Sequence, residues 1–114
     1  MMDETPFTSR MRQICKDASI RCPGYYPTRF LKMINSCGGD FLPTAKKMLV
    51  SGAIQKGLWT IAKHQALDIS MEAVILEESW SAFFSPEEIQ SAEWRLSEAK
   101  RRIEAGEGPD NSEW

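Results

Sequence analysis

Histidine is almost absent from this sequence, which has one, His64, in 114 residues. Cysteine is scarce too: Cys15, Cys22 and Cys37 form an odd set that cannot complete a disulfide framework. A zinc site built from two of these thiols and His64 would lack the close Cys-x-x-Cys pair typical of such sites. We therefore expect buried thiols, and neither a metal nor a cofactor.

Long apolar runs are missing as well. No stretch approaches the roughly 18 residues of a membrane-spanning helix, and the first residues lack the apolar core of a signal peptide. A cytoplasmic protein without a membrane partner is the expectation. Hydrophobic residues make up 42% of the chain and charged residues 26%, which is typical of a folded domain. The length suits one domain with a modest core.

Apolar residues recur at helical spacing between Pro-Gly, Gly-Gly and Ser-Gly breaks. This pattern predicts an all-α fold, a compact bundle of five to six short helices. Thr5 followed by Pro6 predicts the start of the first helix. Gly38-Gly39 predicts the end of the second helix, because glycine readily adopts the positive φ of a sharp C-terminal turn. Asp40 is then predicted to cap the third helix.

The second half has a buried helix and a long one. The run 71–76 is apolar almost all round, which predicts the most buried helix, capped by Asp68 or Ser70. Ser85-Pro86-Glu87-Glu88 predicts a capping box, followed by a narrow apolar seam. This seam could serve the core or a dimer. We predict a helical domain over residues 5–105 and an acidic, disordered tail over residues 106–114 that ends at Trp114.

Charge is divided unevenly along the chain. Residues 1–63 contain ten Lys/Arg and four Asp/Glu, a net charge of +6, and the remainder contains four and twelve, a net charge of −8. Each half could meet a partner of opposite charge. Alternatively, the two halves neutralise each other within the fold or across a dimer.

Residues suited to catalysis are few. His64 follows a predicted helix C-terminus, where an imidazolium is favoured for structural reasons. Asp68, Glu72 and the pair Glu77-Glu78 fit helix caps and a solvated face better than a pair of catalytic carboxylates. No Gly-Lys-Ser/Thr sequence completes a phosphate-binding loop. We expect no enzyme, and the alternative is a small enzyme that uses His64 and nearby carboxylates.

Nucleic-acid binding is a further alternative. The second and third helices have the size of a helix-turn-helix, with Lys46 and Lys47 on the groove-entering helix and Arg29 and Lys32 near phosphates. Pro43 argues against it, because it interrupts the start of that helix. The acidic pI of about 5.4 also argues against it.

Aromatic residues are plentiful enough to anchor a protein interface. The rings considered for exposure are those of Tyr25, Tyr26, Trp59, Trp80 and Trp94. The alternative is that they fill the core. The predicted partner-binding residues are Tyr25, Tyr26, Arg29, Lys32, Lys46, Lys47, Trp59 and Trp94.

The stretch from Arg10 to Leu96 resembles a family of small, uncharacterised bacterial helical proteins. The resemblance covers about three-quarters of the chain. It is carried by Gly-Tyr-Tyr-Pro-Thr-Arg-Phe-Leu-Lys-Met at 24–33, Gly38-Gly39, Ala-Lys-Lys-Met-Leu at 45–49, Gly-Leu-Trp at 57–59, Leu-Asp-Ile-Ser-Met-Glu-Ala at 67–73, Phe-Ser-Pro-Glu-Glu at 84–88 and Arg95-Leu96. It implies no activity and no site residues, because the family's function is unknown.

Small acidic helical proteins are also typical of phage-encoded inhibitors of bacterial defence, including anti-CRISPR proteins. This is an analogy of size and charge only. The sequence thus predicts a non-enzymatic protein-binding module, with the role of an accessory or inhibitor acting on a nucleic-acid-processing complex.

Overall fold

In a computed structural model, described for residues 4–50 and 56–106, the chain is a compact all-α bundle without strands in those ranges. The predicted all-α compact bundle is confirmed, but the described ranges contain seven α-helices where five to six were predicted, since the segment 78–81 before the last helix also forms a short helix. A 3-10 turn at Leu67–Ile69 precedes α5. The helices are α1 Pro6–Arg21, α2 Thr28–Asn35, α3 Leu42–Val50, α4 Lys56–Lys63, α5 Met71–Ile75, α6 Glu78–Ser81 and α7 Pro86–Glu104.

Three predictions concern segments at the edges of the described ranges. The predicted tail begins at residue 106, and residues 107–114, including Trp114, lie outside the described part of the chain. The loop predicted before the fourth helix includes residues 51–55, which also lie outside it. The Ser51-Gly52 break predicts that this loop continues to Gly57, and this is wrong because α4 already begins at Lys56.

Helix α1 packs one apolar stripe into the main core. Phe7, Met11 and Ile14 are buried, with 4% or less of each side chain exposed. They meet residues of α3, α5 and α7, and the Phe7 ring lies 5.6 Å from that of Trp80 and 5.7 Å from that of Phe84. The buried members of this cluster are Phe7, Met11, Ile14, Cys15, Ile34, Phe41, Ala45, Leu49, Met71, Val74, Ile75, Phe84 and Ala92.

A buried threonine connects the start of α1 to the turn before α3. The Thr8 hydroxyl donates to the carbonyl of Gly39 at 3.1 Å and accepts from the backbone N–H of Phe41 at 2.9 Å. Gly38 and Gly39 have the predicted positive φ, 69° and 92°, but α2 already ends at Asn35 with Ser36 as its C-cap, so the glycines form the turn after the helix and not its end.

The prediction that Asp40 caps the third helix is wrong by one residue. Helix α3 begins at Leu42, so Phe41 holds the capping position. The reason is that Thr8 binds the Phe41 N–H and the Phe41 ring is fully buried, which keeps this residue outside the helix. Asp40 Oδ1 still accepts a hydrogen bond from the N–H of Leu42 at 3.2 Å.

The caps predicted for α5 and α7 are confirmed. Ser70, rather than Asp68, accepts from the N–H of Ala73 at 3.1 Å. At α7, Ser85 Oγ accepts from the N–H of Glu88 at 3.2 Å, and Glu88 Oε1 accepts from the N–H of Ser85 at 2.8 Å. Four of the five residues of α5 are buried, in agreement with its predicted position in the core.

None of the helices in the described ranges is both long enough and apolar enough to cross a bilayer.

Candidate protein-interaction surface

A cleft of about 210 Å³ lies between α1 and α2. Its lining residues are Arg12, Cys15, Lys16 and Ser19 of α1 and Leu31 of α2. Cys15 belongs to the buried stripe of α1. Arg12, Lys16 and Ser19 lie beside that stripe on one side of the helix, because a step of three or four residues advances about one helical turn. Leu31 lies beside Phe30 and Ile34 on the inner side of α2, where it packs against the core.

The cleft has two cationic groups on α1. Arg12 forms an ion pair with Glu4. Lys16 is exposed and has no ion pair within the described residues. Cys15 is buried, and burial raises the pKa of its thiol to about 11, although the charge of Arg12 opposes the shift. The thiol is therefore protonated at neutral pH and is a poor nucleophile.

The outer side of α2 adds two more cations. Arg29 and Lys32 are exposed and lie one turn apart, and neither has an ion pair in the described ranges. Tyr26, in the loop between α1 and α2, is 75% exposed. We define the α1–α2 face as Lys16, Tyr26, Arg29 and Lys32 together with the cleft.

The two tyrosines of this loop have different positions. Tyr25 is half-buried against the cluster of Ala18 and Cys22. Burial, with a smaller contribution from the nearby thiols of Cys15 and Cys22, raises the pKa of Tyr25 to about 12. Of the predicted pair, Tyr26 is therefore the residue with a ring free to contact a partner.

Trp59 was considered for exposure, and the structure contradicts this. Only 2% of its side chain is exposed, and the ring packs with Leu58, Ala62 and Ala99. The Arg102 guanidinium lies 5.6 Å from the ring centre. Trp59 became buried because α4 packs its apolar side against α7, a tertiary contact that the short run 58–62 does not reveal.

The other two tryptophans in the described ranges differ in exposure. Trp80 is half-buried against the main core, where its ring meets Phe7, so it too belongs mainly to the core. Trp94 is 49% exposed on α7. It lies off the predicted seam of that helix, as the sequence indicated.

Lys46 does not face solvent as a free cation, which weakens the helix-turn-helix alternative. Its ammonium donates to the carbonyl of Phe83 at 2.7 Å and to Glu88 at 2.9 Å, and it lies 5.0 Å from the ring centre of Phe84. Lys47 is exposed. One of the two lysines predicted on the groove-entering helix is thus engaged in holding α3 against α7.

The prediction that Glu72 lies on a solvated face is wrong. The carboxylate is buried and faces Arg95 of α7 at 3.8 Å, with 8% and 1% of the two side chains exposed. Burial raises the pKa of Glu72, although Arg95 opposes the shift. The sequence contained a signal for the burial of Arg95, because Arg95 lies three residues after Ala92 and four before Ala99, on the predicted apolar seam of α7.

The remaining candidate catalytic groups are dispersed. His64 is exposed just after α4 ends. Asp68 pairs with Arg21 at 2.6 Å and Glu77 with Arg10 at 3.2 Å. No group of three potential metal ligands exists within the described residues.

Comparisons with known proteins found no matching family model, no matching curated protein and no matching solved structure. The resemblance to a bacterial helical family therefore stays a prediction.

Proposed function

We propose that this chain is a non-enzymatic module that binds another protein through the α1–α2 face. The observation that carries the proposal is the distribution of ion pairs in the basic half. Arg10, Arg21 and Lys46 pair with carboxylates of the acidic half. The cations of the α1–α2 face have no such pairs in the described part of the chain, so charge complementarity within the fold accounts for only part of the basic half.

Tyr26 supports the same surface. Its exposed ring lies three residues before Arg29, and tyrosine and arginine are among the residues that most often anchor protein interfaces. Phe83 and Trp94 are also exposed aromatic residues, but Phe83 lies in the turn before α7, and Trp94 lies on α7 between Glu93 and the buried Arg95. Within the described residues, no exposed unpaired cation adjoins either ring in sequence.

The predicted role of an accessory or inhibitor of a nucleic-acid-processing complex is a specific form of this proposal. A partner with an acidic surface would meet the α1–α2 face with favourable electrostatics, which raise the association rate and exclude partners of the wrong charge. The nature of the partner would decide whether the role is inhibitory.

The test is an affinity capture from bacterial lysate treated with nuclease. Three tagged proteins are compared: wild type, the triple variant Tyr26→Ser, Arg29→Ser, Lys32→Ser, and the control Trp94→Ser. We expect wild type and control to retain one stoichiometric protein, and the triple variant to retain it at least about tenfold less, because loss of one anchor typically costs about 2 kcal/mol.

Three results would contradict the proposal. One is the absence of any stoichiometric protein with wild type. Another is equal recovery by wild type and the triple variant. The third is recovery of nucleic acid, in a parallel capture without nuclease, with an affinity that falls steeply with salt, since this behaviour is typical of phosphate binding.

A further inference from the structure

The size of the α1–α2 cleft limits what it can hold. Its volume is about 210 Å³, below the range of about 300–1,000 Å³ typical of sites for cofactors and drug-sized ligands. The accessible surface of its lining is mostly apolar, and Leu31 is its one aliphatic side chain. A single large apolar side chain matches this volume and this surface.

The charged residues that line the cleft are both cationic, and one of them has a carboxylate partner. Arg12 and Lys16 line it, and no carboxylate does. The Glu4 carboxylate that pairs with Arg12 comes from the residues before α1. Lys32 follows Leu31 directly in the sequence and is exposed. A segment seated in the cleft would thus have Lys16 beside it on α1, and a continuation of that segment over the outer side of α2 would approach Lys32.

We infer that the α1–α2 cleft receives one apolar side chain from an acidic segment of a partner protein, with the carboxylates of that segment beside Lys16 and Lys32. This inference rests on the proposed function and specifies the partner's chemistry. It explains why the cleft combines an apolar inner surface with a cationic edge, since the two features recognise two parts of one peptide.

The ion pairs that the arginines of α1 already form favour a peptide over a nucleic acid as the ligand of the cleft. Phosphate binding by a nucleic acid draws on many free Lys and Arg residues along a continuous path. Here Arg12 already pairs with Glu4, and Arg10 and Arg21 on the same helix pair with Glu77 and Asp68. The apolar inner surface of the cleft also suits an aliphatic or aromatic side chain better than a phosphate.

The test is an NMR titration of the ¹⁵N-labelled full chain with synthetic peptides of eleven residues. The probe has a central leucine flanked by Asp and Glu. One control peptide replaces the acids with Asn and Gln, and a second replaces the leucine with alanine. We expect amide shifts concentrated at Arg12, Lys16, Ser19 and Leu31, and at least about tenfold weaker binding of each control peptide.

Two variants localise the binding. Ser19→Phe fills the cleft, and it removes only a hydrogen bond to the Cys15 carbonyl of the same helix. Lys16→Glu reverses the charge at its edge. Lys63→Glu is the matched control, because Lys63 is also an exposed helical lysine without an ion pair in the described ranges. We expect the first two variants to weaken binding about tenfold or more, and the control to bind as wild type does.

Several outcomes would overturn the inference: no shifts at millimolar probe, shifts located elsewhere, equal binding of the neutral peptide, or tighter binding of a twelve-nucleotide single strand at the same amides. Failure here is distinguishable from failure of the proposed function. If lysate capture succeeds with wild type and is unaffected by Ser19→Phe, the protein-binding function stands and the cleft is excluded. If capture fails, the peptide titration still tests the cleft directly.

Discussion

At the scale of single residues, Gln65 alone among the described residues other than glycine has a positive φ, of 57°. It follows α4, where the N–H of Ala66 donates to the carbonyl of Ile61 and the N–H of Gln65 to that of Ala62. These two bonds define a Schellman motif, in which the position of Gln65 usually belongs to glycine. Ala66 and Ile61 also pack together in one buried cluster.

We expect Gln65→Gly to stabilise the protein by about 0.5 kcal/mol. The substitution removes a left-handed conformation that costs an L-residue about 1–2 kcal/mol, but glycine loses more backbone entropy on folding. Gln65→Val should destabilise by about 1 kcal/mol, because a β-branched residue tolerates positive φ least. Urea unfolding of the three proteins measures both effects. If glycine and valine shifted stability in the same direction, backbone strain at this position would be excluded.

At the scale of helices, the end of α3 is held by side chains of α7. The last carbonyls of a helix have no partner within it. Ser91 Oγ donates to the carbonyl of Leu49 at 2.6 Å, and Arg95 donates to that of Met48 at 2.5 Å. Glu72 of α5 faces the same guanidinium. One buried arginine therefore connects three helices.

We expect Arg95→Met to cost about 3–5 kcal/mol, because it leaves the Glu72 carboxylate buried without its counter-ion. Adding Glu72→Leu should recover at least about 2 kcal/mol of that loss, since replacing both members of a buried pair by apolar residues is often neutral or stabilising. Urea denaturation of the single and double variants measures the recovery. A double variant no more stable than Arg95→Met alone would show that the Met48 carbonyl, and not the stranded carboxylate, dominates the cost.

Helix ends and turns governed by local chemistry were predictable from the sequence. The Ser85–Glu88 capping box and the Gly38-Gly39 turn depend on residues within a few positions of each other. The start of α3 did not follow local rules, because Thr8, more than thirty residues earlier, binds the Phe41 N–H. Contacts between distant elements have no local signal, and they also explain why the burial of Trp59 was missed.

At the scale of the whole molecule, the uneven charge is partly neutralised within the fold. Three ion pairs, Arg10–Glu77, Arg21–Asp68 and Lys46–Glu88, join the basic half to the acidic half. The predicted neutralisation within the fold is thus observed for these three cations, and the predicted meeting of the basic half with a partner stays a proposal. The cleft was not predictable, because its volume depends on how α1 and α2 pack. Its two cations, Arg12 and Lys16, were not among the predicted partner-binding residues, whereas Arg29 and Lys32 of the α1–α2 face were.

Two buried or half-buried carboxylates should make stability depend on pH in opposite directions. The backbone N–H of Ser85 donates a hydrogen bond to the Glu88 carboxylate and lowers its pKa most. The Lys46 ammonium lowers it further. Burial raises the pKa of Glu72. The ordinary value for both is 4.5. A group with a lowered pKa stabilises the fold above its ordinary pKa, and this contribution is lost as pH falls. A group with a raised pKa favours the fold when protonated, and this contribution is lost as pH rises.

Glu88→Gln and Glu72→Gln test these signs, because glutamine keeps the shape and cannot ionise. As pH rises from 2 to about 4.5, wild type should gain stability relative to Glu88→Gln, by at most about 1 kcal/mol for a pair near the surface. As pH rises above about 4, wild type should lose stability relative to Glu72→Gln, until the folded carboxyl ionises. Guanidinium unfolding at half-unit intervals from pH 2 to 8 gives both differences. Equal signs for the two variants would refute the assignment of Glu72 as a carboxyl whose burial outweighs its attraction to Arg95.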